Sequence, residues 1–285
     1  MSINADPEKI KALVFDLDGT ILTQDNKLTP RTVNAIKKCK ERGIRIIVAT
    51  GRVISAAEPY RKEISAEGPM IYLNGSIIAD MDKGGIIKTT CMDIDTVNYC
   101  IDLARKMNVY CQIYIHGGSL NEKELLLFAE KDSPYRESYH KHTGVLAEIT
   151  NLKEKLLDPN YRDVIKVMFI AEPEDNLGVR ADLDKNIGEK VYIVQTYRTF
   201  LEILNKDISK GKALSYVMDM FSLKPEEVIV FGDEENDIPM FEAAAFSAVP
   251  SSSKESVRAR AKTVVGPNTE DGVAKFLENF FNLSI

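Results

Sequence analysis

The chain has no excess of positive charge, no apolar stretch approaching membrane-spanning length, no low-complexity tract and no internal repeat. Each absence closes a class. With 37 Lys and Arg against 43 Asp and Glu, the net charge is −6 and the pI about 5.3, which gives no general attraction to nucleic acid or to an anionic membrane. Any affinity for phosphate must be local. Met1 to Ile10 carries Asp6, Pro7 and Glu8 instead of a basic segment followed by an apolar run, so no export signal or membrane span is expected and a cytoplasmic location follows. Cysteine is scarce: Cys39, Cys91, Cys100 and Cys111 lack CxxC spacing, which points to reduced, half-buried thiols in place of a disulfide framework or a cysteine metal site. No coiled-coil pattern is present, and a monomer is expected. The three histidines, His116, His140 and His142, fall in the middle of the chain, where solvated or packing roles are expected.

What remains is an ordinary globular composition, 44% hydrophobic and 28% charged, in a chain of 285 residues, long enough for two cores. Lys11 to Phe15 is a short apolar run that stops at Asp16 and precedes a polar, glycine-containing turn, the pattern of a buried strand with a loaded tip. Thr29 is placed to cap a helix with Pro30 at its first position. Val33, Ile36 and Cys39 recur at three-residue spacing, and Gly43 supplies the stop before a second buried strand at Ile44 to Ala49. Strand, helix and strand in so short a span imply a right-handed parallel crossover, hence a doubly wound α/β sheet with ligands at its strand tips. The pattern returns near the C-terminus, with a helical stripe at Leu214, Val217, Met218 and Phe221 and a strand at Val228 to Phe231.

Between these halves, strand-like runs at Val109 to Ile115, Val164 to Ile170 and Val191 to Leu204 are separated by helix-like stretches at Thr96 to Met107 and Leu177 to Ile187. The expected division is therefore an α/β core from 1–82 and 208–285, interrupted by an inserted α+β cap at 83–207. Tyr110, Tyr114, Tyr192 and Tyr197 lie in the strand-like runs, where core packing is the default.

Four polar clusters sit at strand tips or helix starts. Asp16-Leu17-Asp18-Gly19-Thr20 ends the first strand; alternation along an extended backbone puts Asp16 and Asp18 on one side, facing one ligand, while Gly19 permits the tight turn. A plain Asp-rich turn is the alternative; a calcium loop ranks below it, because no further ligands follow at the required positions and no Glu closes the loop. Thr50-Gly51-Arg52 follows the second strand, where a hydroxyl and free amides can bind phosphate oxygens, although the same residues also make a simple strand-to-helix turn. Lys210, at the start of the amphipathic helix, can neutralise a phosphate, or be as ordinary as its neighbours Lys206 and Lys212. Gly232-Asp233-Glu234-Glu235-Asn236-Asp237 gathers four acidic residues at the end of an apolar strand, where they repel unless a cation or solvent offsets them.

In this order on one parallel sheet, the four clusters resemble the motifs of the haloacid dehalogenase superfamily of phosphotransferases, matched by Asp16 to Thr20, Thr50, Lys210, and Gly232-Asp233 with Asp237. The strand and helix already fill Ile21 to Ala49, so a cap fits only between Arg52 and Lys210. That position, together with Leu73-Asn74-Gly75, Leu201-Glu202-Ile203 and Glu270-Asp271-Gly272-Val273-Ala274, is similar to the Cof-type sugar-phosphatase branch.

The resemblance implies a magnesium-dependent phosphatase for small phosphate monoesters, sugar phosphates foremost. Asp16 would attack phosphorus to give an aspartyl-phosphate, and Asp18 would act as general acid and then base. It implies Mg2+ on Asp16, the backbone carbonyl of Asp18 and Asp233, with Asp237 behind them and Glu234 as a further contributor. The phosphoryl oxygens would be bound by Thr50, the Leu17 and Gly51 amides, Lys210 and Asn236, with Arg52 and Asn74 on the substrate side. Two rivals share these residues: a hexose phosphomutase of the same superfamily, and a phosphosugar sensor without turnover, against which the presence of both Asp16 and Asp18 counts.

Overall fold

A computed structural model describes residues 5–116 and 125–284. The chain forms two compact units, one built from the segments up to Lys88 and from Ser209 onward, the other from Thr89–Ile208. The first segment runs β1 (Ala12–Phe15), α1 (Pro30–Glu41), β2 (Arg45–Val48), α2 (Ile54–Glu63), β3 (Met70–Tyr72), β4 (Ile77–Asp80) and β5 (Gly85–Thr89). The second unit contains α3 (Ile94–Met107), β6 (Tyr110–His116), β7 (Leu125–Ala129), α4 (Pro134–Thr143), β8 (Glu148–Ile149), α5 (Leu152–Lys155), β9 (Val164–Ile170), α6 (Pro173–Ile187), β10 (Val191–Tyr197) and β11 (Phe200–Asn205). The chain then returns to the first unit through α7 (Lys210–Met220), β12 (Val228–Phe231), α8 (Ile238–Ala243), β13 (Phe246–Pro250), α9 (Glu255–Arg258), β14 (Thr263–Val265) and α10 (Gly272–Phe281).

The core sheet is parallel throughout, in the order β14-β13-β12-β1-β2. β1 lies inside it with all four residues buried, which is why its sequence is a continuous apolar run and not an alternating one. Phe15 stacks on Phe231 of the neighbouring strand, ring centroids 4.9 Å apart. The chain leaves β1 on one side for β2 and reaches β12 on the other, so the strand order reverses between β1 and β12; the crevice at such a reversal is where open α/β sheets bind ligands.

The Thr29 cap forms as expected: its Oγ1 accepts from the Thr32 amide at 3.1 Å and donates to Asp271 Oδ1 at 2.5 Å, just ahead of α10, against which α1 packs. Gly43 takes the left-handed turn that ends this helix, φ +83°. An antiparallel sheet, β3-β4-β5, joins β2 through a parallel bridge between Ala49 and Ile71. Its last strand moves the edge of the first unit: Lys83 lies in the turn between β4 and β5, and the unit extends to Lys88 instead of ending at residue 82.

The inserted unit is α+β. Its sheet has the order β10-β11-β9-β6-β7-β8, antiparallel except for β7–β8. Apolar residues of α3 and α6, among them Val97, Ile101, Val179 and Leu183, form one core with Ile113, Val167, Phe169 and Ile203. Both helices start earlier than their apolar periodicity marks, because Asp93 caps α3 and Pro173 opens α6. Val191 to Leu204 is not one strand: β10 and β11 form an antiparallel hairpin turning at Arg198 and Thr199. Tyr110 and Tyr114 are buried and Tyr192 half-buried, whereas Tyr197 stands 59% exposed beside this turn, against the expectation of core packing. His116 and His140 are half-buried, and the side chain of His142 lies outside the described residues. All four cysteines are free, and no helix among the described residues is long and apolar enough to cross a membrane.

Candidate active site

Asp16 extends the β1 ladder by one bond, its amide donating to Phe231 O at 2.9 Å, and its carboxylate is buried at the sheet's tip. The chain then turns on the carbonyl of Leu17, which accepts from the amides of Thr20, Ile21 and Leu22. Gly19 sits in this turn at φ +73°, and a Cβ there would lie 2.1 Å from Asp233 Oδ2, so only glycine lets the two strand tips approach. Thr20 Oγ1 closes the approach by donating to Asp233 Oδ1 at 3.0 Å.

Lys210 is the first residue of α7, behind an N-cap at Ser209 whose hydroxyl accepts from the Lys212 amide. Its Nζ, fully buried, donates to Asp16 Oδ1 at 2.5 Å and to Asp237 Oδ1 at 2.7 Å. The second oxygen of Asp237 accepts from the amides of Asp233 and Glu234 at 2.9 and 3.1 Å, so this carboxylate holds the ammonium with one oxygen and the loop after β12 with the other. Asp16, Asp233 and Asp237 each offer a carboxylate oxygen within 4.8 Å of the others.

Three carboxylates around one ammonium leave two negative charges without a counterion. Burial pushes the Asp16 carboxyl up to about 7, against the pull of Lys210 and with the repulsion of Asp237 and Asp18 added. Burial also raises Asp233, to about 9, with Asp16 and Asp237 adding to it and the Thr20 hydroxyl and Lys210 opposing. Lys210 is disfavoured as a cation by its burial, but Asp16 and Asp237 more than offset this and keep it charged. A divalent cation matches the surplus, and an all-oxygen donor set suits a hard one.

The remaining candidates divide. Thr50 is buried, its Oγ1 accepting from the Arg52 amide at 3.1 Å. Its loop is tied to the one after β3 by bonds from Asn74 N to Thr50 O and from Leu73 N to Arg52 O, and Leu73 and Asn74 both adopt positive φ. Asn74 Oδ1 accepts from Asn236 Nδ2 at 2.9 Å, and Gly51 faces the same amide, where a Cβ would sit 3.1 Å from Oδ1. Thr50, Gly51, Asn74 and Asn236 are thereby brought together.

Asp18 and Glu234 are not drawn into the carboxylate group. The extended backbone ends before Asp18, which opens the turn, so the alternation that would have aimed it beside Asp16 stops; its half-exposed carboxylate pairs with Arg52. Glu234 pairs with Lys254 at 3.0 Å. Leu17 is an apolar, buried side chain and offers the site only its backbone. Asn26 and Tyr60, which hold Arg52, went unrecognised in the sequence, and Thr20, although part of the first cluster, was given no role: it holds Asp233. Only the position of Thr20 directly after Asp-Gly marked it out.

The profile of the haloacid dehalogenase-like hydrolase family matches residues 13–277, and the chain belongs to that family. Among curated relatives, 5-amino-6-(5-phospho-D-ribitylamino)uracil phosphatase YitU of Bacillus subtilis is 26% identical, covering 95% of this chain and 97% of its own. Pyridoxal phosphate phosphatase YbhA of Escherichia coli is 24% identical, covering 94% and 97%. Among solved structures, TM0651 from Thermotoga maritima superposes with a TM-score of 0.79 at 28% identity, over 97% of this chain and 98% of that one.

Proposed function

We propose that this phosphoric monoester hydrolase is a magnesium-dependent phosphatase acting on a small phosphate ester, with sugar phosphates the first class to test, through a phosphoryl group carried transiently on Asp16. The observation that carries the reading is the buried Lys210 bridging Asp16 and Asp237 beside Asp233. A buried lysine between two carboxylates binds the first in place and leaves its second oxygen as nucleophile.

In the first step an oxygen of Asp16 bonds to phosphorus, the ester P–O bond breaks, and the departing alkoxide takes a proton from Asp18. In the second, Asp18 takes a proton from water as its oxygen bonds to phosphorus, and Asp16 leaves with inorganic phosphate as the other product. Lys210, the Thr50 hydroxyl, the Leu17 and Gly51 amides and Asn236 would bind the phosphoryl oxygens, and Asn74 would orient Asn236 through their hydrogen bond. Asp16, Asp233 and the Asp18 carbonyl would hold Mg2+, with Asp237 steadying the loop and Glu234 left on Lys254. When bound, the ion would offset the charge of Asp16, Asp233 and the phosphoryl group. Choice among esters is assigned to the inserted unit.

The test is phosphate release from a panel of sugar phosphates, nucleotides and an aryl phosphate, with and without Mg2+, for the natural protein and Asp16→Asn. Mg2+-dependent release, reduced on the order of 10^3-fold or more by the substitution, is expected. Release that survives the substitution would remove Asp16 as nucleophile. Isomer formation dependent on a sugar bisphosphate would mark a mutase, and binding without turnover a sensor.

A further inference from the structure

Arg52 spends its donors on the protein. Its Nε donates to Asp18 Oδ2 at 2.8 Å and one terminal nitrogen to Asp18 Oδ1 at 2.5 Å, a two-point fork on the carboxylate. The same terminal nitrogen reaches Asn26 Oδ1 at 2.8 Å, and the other the Tyr60 hydroxyl at 3.4 Å. The guanidinium carbon lies 5.0 Å from the Tyr60 ring centroid, and the Tyr60 hydroxyl donates to Asn26 O at 2.9 Å. The root of the side chain is fixed as well, by the Thr50 hydroxyl on its amide and the Leu73 amide on its carbonyl. Arg52 is therefore a held group, 19% exposed, whereas Asp18 stands on a turn with its side chain 52% exposed.

Asp18 has a competing attraction. It lies two residues from Asp16, whose partner Lys210 and any cation shared with Asp233 would draw a second carboxylate inward, away from the leaving oxygen. The fork takes about two of the roughly four lone-pair sites of the Asp18 carboxylate, fixing the plane of the group and leaving each oxygen one site that faces away from Arg52. We infer that Arg52 is the positioning residue for the acid–base group: it holds Asp18 out of the Lys210–Asp16–Asp233 cluster and aims it at the departing oxygen. This rests on the phosphatase reading and replaces a substrate contact as the role of Arg52.

An acid matters most when the leaving group is a poor one. The experiment is steady-state kinetics of the natural protein, Arg52→Gln, Asp18→Asn and the double variant on aryl phosphates from strongly to weakly acidic phenols, and on an alkyl phosphate. Mg2+ affinity and thermal melting are followed alongside. Arg52→Gln is expected to lower kcat about 10- to 100-fold on the alkyl ester and by less than about threefold on the most acidic phenol, with little change in KM. In the Asp18→Asn background it should remove nothing further. Arg52→Lys, which keeps the charge but not the fork, should show the same leaving-group dependence to a lesser degree and serves if the Gln variant fails to fold. An equal loss across the series, a rise in KM at constant kcat, or losses that add in the double variant would overturn the assignment. Absence of release by the natural protein would instead overturn the phosphatase reading on which it stands.

Discussion

At the scale of single residues, the site depends on how closely two strand tips can approach. Gly19→Ala would place a methyl group 2.1 Å from Asp233 Oδ2 at a backbone φ of +73°, so both strain and displacement are imposed. The strain is worth about 1–2 kcal/mol, and the displaced carboxylate should weaken Mg2+ binding by roughly tenfold or more. Thermal melting and calorimetric Mg2+ titration of the variant test this; unchanged affinity would show that Asp233 is not a ligand. Asp16 and Asp233 stood out in the sequence as charged groups at the tips of buried apolar strands, whereas Lys210 and Asp237 were marked only by their place in the family's motif order; the fold brings the four together. Asp18 was legible in type but not in direction, since alternation holds only while the strand lasts and the turn opens at Asp18 itself. Asn26 and Tyr60 left no signal: their partnership with Arg52 spans 26 and 8 residues and exists only in the folded chain.

At the scale of elements, buried parallel strands were readable because burial on both faces demands uninterrupted apolar residues, as in β1 and β12. The hairpin of β10 and β11 was not, because its turn at Arg198 and Thr199 contains no Gly, Pro, Asn or Asp to break a run of strand-favouring residues. That hairpin also brings in a charged pair invisible to periodicity: Glu202 on β11 meets Lys166 on β9 at 3.1 Å, both side chains almost fully buried. Thr196 Oγ1 donates to the same Glu202 oxygen at 2.9 Å, and Lys166 Nζ lies 4.3 Å from the Tyr114 ring centroid. Lys166→Met should destabilise the protein by about 3–5 kcal/mol by stranding a buried carboxylate, and a Lys166→Met, Glu202→Leu double variant should recover most of it. Urea unfolding of the three proteins decides; a double variant as unstable as the single one would mean that packing of the aliphatic stems, not charge, sets the cost.

At the scale of the whole molecule, a net charge of −6 gives no general attraction to phosphate, and the buried charge is concentrated in one crevice, where the strand order reverses and an ammonium sits among three carboxylates. Such a cluster couples stability to pH. Asp16 and Asp233 have folded-state values near 7 and 9, against 3.8 in a solvated chain, so between about pH 4 and pH 9 the folded protein keeps protons that the unfolded chain has released. The unfolded state then binds fewer protons than the native one, so these two carboxyls make stability without a divalent cation fall as pH rises through this window; their own contribution levels above about 9, where the thiols of Cys39, Cys91 and Cys100, also raised by burial, carry the decline on. Lys210 does not offset the trend, because its raised value contributes stability that is fully present throughout that range. On the proposed reading magnesium would compete for the oxygens that those protons occupy, so the rise in melting temperature on adding Mg2+ should grow from about pH 5 to about pH 9. Asp233→Asn, which removes the higher of the two carboxyls, should flatten both the decline and the Mg2+ response. Melting curves at three pH values, with Mg2+ and with a chelator, test the coupling: a cation-free protein that gains stability between pH 5 and 9 would mean the carboxylates are already neutralised by another group.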